Sequence, residues 1–282
     1  PRWLALQKRR RKEQPSGDKG WEGADLLLRD LTSDTMLNFG NVHEFGFNKS
    51  GRWLSMTIDA QHQTGNGIVL LEVDASKLRT LDTDKAEYRR LAWTQEGDAL
   101  SVLKGVKSDD HEKKLYELLG YHHLDADKPQ LLHIVPEKDA GIPESMTISP
   151  NRTPQWTDDR SGLVFGIHDA GKKETKKDED AEETKEGQAD DEADVVVWHW
   201  EDKRLQSQQQ VQESQDKSFS YLCIRQTEAE KTLRLGTEEM REASIPRPHR
   251  IAIATDNEMY RRDGSLDGRR YRDVYVVDIS SG

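Results

Sequence analysis

The stretch EFGFNKSGRWLSMTID (44–59) reads as two short strands around a tight turn. Phe45 and Phe47 close the first strand, and Asn48–Gly51 supplies the small polar residues of a turn. Trp53, Leu54, Met56 and Ile58 carry the second strand. Apolar and β-branched residues bounded by Gly, Asn and Ser mark antiparallel strands, because side chains on a strand alternate between faces with period two. Taking the leucine after the turn as a reference, the unit recurs at Leu4 (RWLAL), Leu54, Leu100 (DALSV), Leu163 (GLVFG) and, more weakly, Ala252 (RIAIA). Seven residues before three of these stands an aromatic that ends a strand: Phe47, Trp93 and Trp156. The spacing is that of strand, turn, strand.

A second pattern closes the units: an apolar strand, a polar turn, and a further strand. It appears as DLLLRDLTSDTMLNF (25–39), IVLLEVDASKLRTL (68–81), YLCIRQTEAEKTLRL (221–235) and DVYVVDISSG (273–282). Two hairpins per unit make a four-stranded antiparallel sheet. The reference positions are 50, 46, 63 and 89 residues apart, against roughly 40–50 for one blade of a β-propeller. A single sheet cannot cover both of its apolar faces, whereas radial stacking buries them against neighbours. The expected fold is therefore all-β: about five four-stranded blades spanning 1–282, a partial propeller whose ring this segment does not close. The innermost strands are expected to include Glu44–Phe47, Arg90–Trp93 and Pro154–Trp156. Three places depart from the pattern. Arg160 stands where the turn glycine belongs, PRPH (246–249) replaces the last turn, and KKLYELLGYHHLD (113–125) stands where the third unit needs a clean closing hairpin.

The two long intervals require insertions. The tract KKETKKDEDAEETKEGQADDEAD (172–194) has too few apolar residues to offset the entropy of ordering it, so a disordered excursion inside the propeller is expected there. After it, VVVWHWEDKRLQSQQQV (195–211) is apolar enough to be ordered, as a strand followed by a short helix at Lys203–Val211. Composition agrees with such padding: 33% hydrophobic and 34% charged residues depart from the roughly 45–50% and 25% of an average domain. The net charge of −11 argues against nucleic acid and anionic lipid as partners. The sequence contains no apolar run long enough to span a bilayer. With Cys223 alone, no internal disulfide can form.

FNKSGRWLSMTID (47–59), EYRRLAWTQEGDALSVLKG (87–105), DVYVVDISSG and VVVWHWEDKRLQSQQQV after its charged tract resemble the N-terminal β-propeller of bacterial serine peptidases of the prolyl oligopeptidase family. The resemblance extends over essentially the whole chain. It implies a propeller that caps an α/β-hydrolase domain of the same parent chain and restricts peptide substrates reaching it. It also points to a periplasmic or secreted parent, without fixing a compartment. The nucleophile of such a hydrolase sits in G-x-S-x-G on a strand-to-helix turn, and these 282 residues contain no such motif. No catalytic, cofactor or metal residue is therefore assigned. Two other readings stand beside this one: an autonomous propeller of the TolB or WD-repeat kind acting as a protein-binding scaffold, and a propeller enzyme, such as a glycosidase, with carboxylates in its channel.

Other constellations favour plain structural readings. His111, His122, His123 and His133 lack metal-ligand spacing, and adjacent residues on a strand face opposite ways. DGSLDGRRYRD (263–273) places arginines where a calcium loop needs carboxylates, so two Asp-Gly turns in a hairpin loop are expected. KRRRKEQ (8–14) lacks interleaved aromatics and reads as a solvated loop between two strands. Trp93 and Trp156 are expected to pack between blades. Trp198 and Trp200, on one strand face opposite His199, are likewise expected to pack.

Overall fold

The computed structural model describes residues 2–9, 22–111, 113–171, 206–260, 264, 268–269 and 271–282. The charged tract 172–194, the strand expected within 195–202, most of KRRRKEQ and five residues of DGSLDGRRYRD lie outside the described residues.

The described strands form four antiparallel sheets in chain order. The first has six strands: β1 (Trp3–Gln7), β2 (Ala24–Asp30), β3 (Met36–Phe47), β4 (Trp53–Ile58), β5 (Gly67–Glu72) and β6 (Lys77–Thr83). It contains two units, because β3 pairs with β2 through its first half and with β4 through its second, Val42 facing a partner on each side. Asn41, at φ 56°, turns the strand between the halves; asparagine is among the few side chains that tolerate this left-handed region. The sheet thereby doubles over, and Leu26 and Leu28 of β2 pack against Leu54, Met56 and Leu71.

The second sheet runs β10-β9-β8-β7, from β7 (Glu87–Trp93), β8 (Ala99–Val106), β9 (Leu115–His122) and β10 (Gln130–Ile134). The third is built on β13 (Gly162–Asp169) and β14 (Tyr221–Gln226), with β15 (Thr232–Arg234) at one edge; β11 (Met146–Ile148) and β12 (Gln155–Trp156) share the other. The fourth has three strands, β16 (Glu242–Ser244), β17 (Ile251–Asp256) and β18 (Asp273–Asp278).

Each apolar cluster lies between units consecutive in the chain. Tyr88, Leu100, Val102, Leu119 and Tyr121 meet Trp53, Ile68 and Leu70 of the first sheet. The opposite face of the second sheet, with Leu103, Tyr116 and Leu118, meets Leu163, Phe165, Ile167 and Cys223 of the third. Leu222, Ile224 and Leu233 then meet Ala252 and Val277 of the fourth. At roughly 1.5–3 kcal/mol for each fully buried aliphatic side chain, these faces are the main favourable term. Sheets stacked face to face in chain order are the blades of a β-propeller. Five are represented, as an arc rather than a closed ring, and the outward faces of the first and last expose Leu4, Leu6 and Met36, and Val274 and Val276.

The spacing read in the sequence is hairpin register: Phe47 pairs with Leu54, Trp93 with Leu100, and Trp156 with Leu163. Of the expected inner strands, Arg90–Trp93 and Gln155–Trp156 (without Pro154) lie at sheet edges, and Glu44–Phe47 lies in the half of β3 that pairs with β4.

Four readings change. The third unit does close with a hairpin, since β9 and β10 pair from Leu118–Ile134 to His122–Gln130. β9 is covered by sheets on both faces, so LYELLGYH lacks the alternation that marks a half-buried strand. The PRPH segment does supply a turn: His249, at φ 61°, stands three residues before Ala252, as Gly51 and Gly97 (φ 75° each) and Arg160 (φ 61°) stand before Leu54, Leu100 and Leu163. The helix α1 spans Gln206–Lys217, beyond the expected Val211, and its last turn carries a Glu213–Lys217 ion pair at 2.6 Å. Finally, DVYVVDISSG forms one described strand, β18, and a turn rather than a hairpin.

Candidate functional site

Between β11 and β12 the chain runs SPNRTP (149–154). The two strands pair with opposite ends of β13, so the inner edge of the fourth blade is interrupted by this link. Pro150 and Pro154 have no N–H for a ladder bond, and the chain leaves the sheet between them. Arg152 then lies back over β13 at Gly166. A Cβ at that glycine would come within 2.6 Å of Ser220 Oγ and 3.0 Å of Arg152 Cβ. Only glycine leaves room for both groups.

Arg152 is half-buried and donates through Nε to Ser220 Oγ at 3.3 Å. Among the described residues no carboxylate lies within ion-pairing distance of it. Neighbouring arginines differ: Arg225 meets Asp139 at 3.0 Å, Arg160 meets Asp98 at 3.0 Å, and Arg241 meets Asp216 at 3.1 Å. Desolvation lowers the Arg152 pKa from its ordinary value, but an arginine side chain stays protonated in proteins. The result is a charge partly withdrawn from water and not neutralised by any described residue. Arg90, on the inner strand of the third blade, donates through Nε to the Pro150 carbonyl at 2.6 Å and fixes the start of the link. It occupies a bulge of β7 at φ 61°.

Arg152 opens onto a cavity of about 520 Å³ between the fourth and fifth blades. Its lining is mixed: Val164, Leu222 and Ile245 are apolar, and Asn151, Thr153, Gln155, Ser218 and Ser244 add uncharged polar groups. One wall is Phe219, just past the end of α1. Its ring lies edge-on to Tyr221 at 4.8 Å, and the Arg241 guanidinium stacks over it at 4.1 Å. On the other side stands His249, whose Nδ1 accepts the Asp158 N–H at 3.2 Å and lies 3.4 Å from the Asp158 carboxylate. One cation beside uncharged polar groups and a smaller apolar set suits an anion whose body is partly apolar. Among the described residues, Ser220 is hydrogen-bonded by neither histidine nor carboxylate, so nothing there activates its hydroxyl.

The histidines weighed in the sequence do not converge. His122 and His123 meet each other through their Nδ1 atoms at 2.8 Å, and His122 also lies edge-on to Trp156 at 5.6 Å. His111 is bonded to Ser108 and His133 to Glu117. Among the described residues no group of three or more His, Cys, Asp or Glu side chains could hold a metal ion. Trp93 and Trp156 pack between blades and donate to the Gly46 and Leu100 carbonyls. Cys223 is fully buried and burial pushes its thiol up to about 12, which makes it a core residue rather than a nucleophile. Trp198, His199 and Trp200 lie outside the described residues. Sequence reading passed over Arg152; its only local signal is the pair of prolines bracketing an arginine just before an inner strand.

No family model matches the chain, and no curated protein matches it. Among solved structures, the β-propeller domain of the Trilobed protease from Pyrococcus furiosus is similar over 99% of this chain and 66% of its own, at 10% identity and a TM-score of 0.45. The Pyrococcus horikoshii acylaminoacyl peptidase is similar over 99% of this chain and 36% of its own (8% identity, TM-score 0.44). TolB from Acinetobacter baumannii is similar over 93% and 48% respectively (9% identity, TM-score 0.38). This chain thus spans less than two thirds of each of these three structures.

Proposed function

We propose that this chain is the non-catalytic β-propeller portion of a prolyl-oligopeptidase-like serine peptidase, which restricts and orients peptide substrates for an α/β-hydrolase domain of the same parent chain. The observation that carries the reading is the Arg152 cleft, where among the described residues a cation has no carboxylate partner and no serine has an activating base. A ring of blades over a hydrolase site admits short or unfolded peptides and excludes folded proteins, and inner-edge groups align what enters. The chemistry belongs to the partner domain, in keeping with a sequence that lacks G-x-S-x-G.

The alternative, an autonomous propeller that binds a protein partner, draws support from the exposed apolar side chains Val274 and Val276 on the last sheet. A fluorophosphonate probe separates the two. The 282-residue chain should stay unlabelled, and the complete product of the parent gene should be labelled on one serine and cleave peptides. A labelled serine within these residues, or a complete product that remains unlabelled, overturns the proposal.

A further inference from the structure

We infer that the Arg152 cleft binds a carboxylate carried on an apolar body. Three independent features converge on it. The first is the charge itself. The Arg152 guanidinium is partly desolvated, and its one described bond, from Nε to the Ser220 hydroxyl, leaves the Nη1 and Nη2 edge without a described partner. That edge is a planar fork matched to the two oxygens of a carboxylate. The second is preorganisation. Gly166 leaves the room that Arg152 and Ser220 fill, Ser220 is itself almost fully buried, and Arg90 clamps the Pro150 carbonyl at the base of the link. The guanidinium is therefore held in place before a ligand arrives, which lowers the entropy lost on binding. The third is the surroundings. Phe219, Leu222, Val164 and Ile245 give the cavity an apolar side among polar but uncharged neighbours such as Gln155 and Ser244, and among the described residues Arg152 is the one Lys or Arg lining it. A doubly charged phosphate would call for more cations or a cluster of backbone N–H groups, whereas a single negative charge beside an apolar group matches one fork and one greasy wall. At about 520 Å³ the cavity falls within the usual range for small-ligand sites and can hold a terminal residue with an aromatic or branched side chain.

The same chemistry has two sources, the C-terminus of a short peptide and a free organic acid. The inference concerns the cleft alone and does not depend on a hydrolase domain. It is tested on the 282-residue chain by calorimetric titration with an acetylated tetrapeptide ending in a free Phe carboxylate, the same peptide as its C-terminal amide, and 3-phenylpropionate. The acid peptide or the phenylpropionate should bind at least tenfold more tightly than the amide. Phenylpropionate alone matching the peptide acid would identify a free acid as sufficient, and binding of the peptide acid only would identify a peptide C-terminus. Arg152→Gln should remove the preference for the acid, and Arg152→Lys should restore it in part. Should Arg152→Gln fail to fold, the wild-type chain still decides the matter. The acid ligand should slow phenylglyoxal modification of Arg152, read by mass spectrometry, while leaving the exposed Arg52 unprotected. Equal affinity for acid and amide, no binding by any of the three, or no protection of Arg152 overturns the inference.

Discussion

Arg160 and His249 hold the left-handed backbone that Gly51 and Gly97 adopt in the equivalent turns. For a side chain other than glycine that conformation costs about 1–2 kcal/mol, so each departure needs compensation. Both obtain it from the turn before: Arg160 Nη1 reaches Asp98 at 3.0 Å, and His249 Nδ1 receives the Asp158 N–H. Gly97 is docked the same way on the preceding turn, its carbonyl accepting from Asn48 Nδ2 at 3.0 Å. The turns thus form a linked rim from the second blade to the fifth. Two substitutions test this balance. Gly97→Ala should destabilise by about 1–3 kcal/mol, since besides its positive φ the new Cβ would stand 2.6 Å from the Lys49 nitrogen. Arg160→Gly should leave the urea midpoint unchanged or raise it, because relief of the backbone offsets an exposed ion pair worth at most about 1 kcal/mol.

The inner strands join blade to blade through side chains that bond to backbone. Trp93 donates to Gly46, Trp156 to Leu100, and Ser101 to Pro154, while Glu44 accepts the Leu91 N–H. Trp156 also fills the space that Gly120 leaves, where a Cβ would stand 2.7 Å from its ring. Trp156→Phe should therefore cost about 1–3 kcal/mol, from one lost hydrogen bond and a partly refilled cavity. Trp93→Phe, at a half-buried position, should cost less. Both side chains meet Leu100, Trp93 as its cross-strand partner and Trp156 through its carbonyl, so in the double variant their effects on stability should depart from a simple sum by about 0.5 kcal/mol or more. This layer was largely legible in the sequence, because a seven-residue interval between an aromatic and a leucine is a cross-strand pair. β9 was not legible, since burial on both faces erases the alternation by which a strand is recognised. Arg152 was not legible for another reason: half-burial without a carboxylate depends on which residues fold toward it from β13, β14 and the end of α1.

Seen whole, the molecule is a row of sheets in which each core belongs to two neighbours, and its stability should be close to a sum of nearest-neighbour terms. The first two units are the exception, because one backbone strand, β3, belongs to both. That shared strand has a mechanical consequence. Between later units a stretching force can act on a loop and separate one sheet from the next. Between the first two it must travel along a continuous strand held by ladders on both sides. Stretched in an optical trap from its two ends, the chain should release the segment from Trp3 to Thr83 in one event, lengthening by on the order of 270 Å, and not in two steps of half that size. Whatever flexing the arc undergoes is then confined to the joints beyond β6, and the first two blades travel as a single stiff plate.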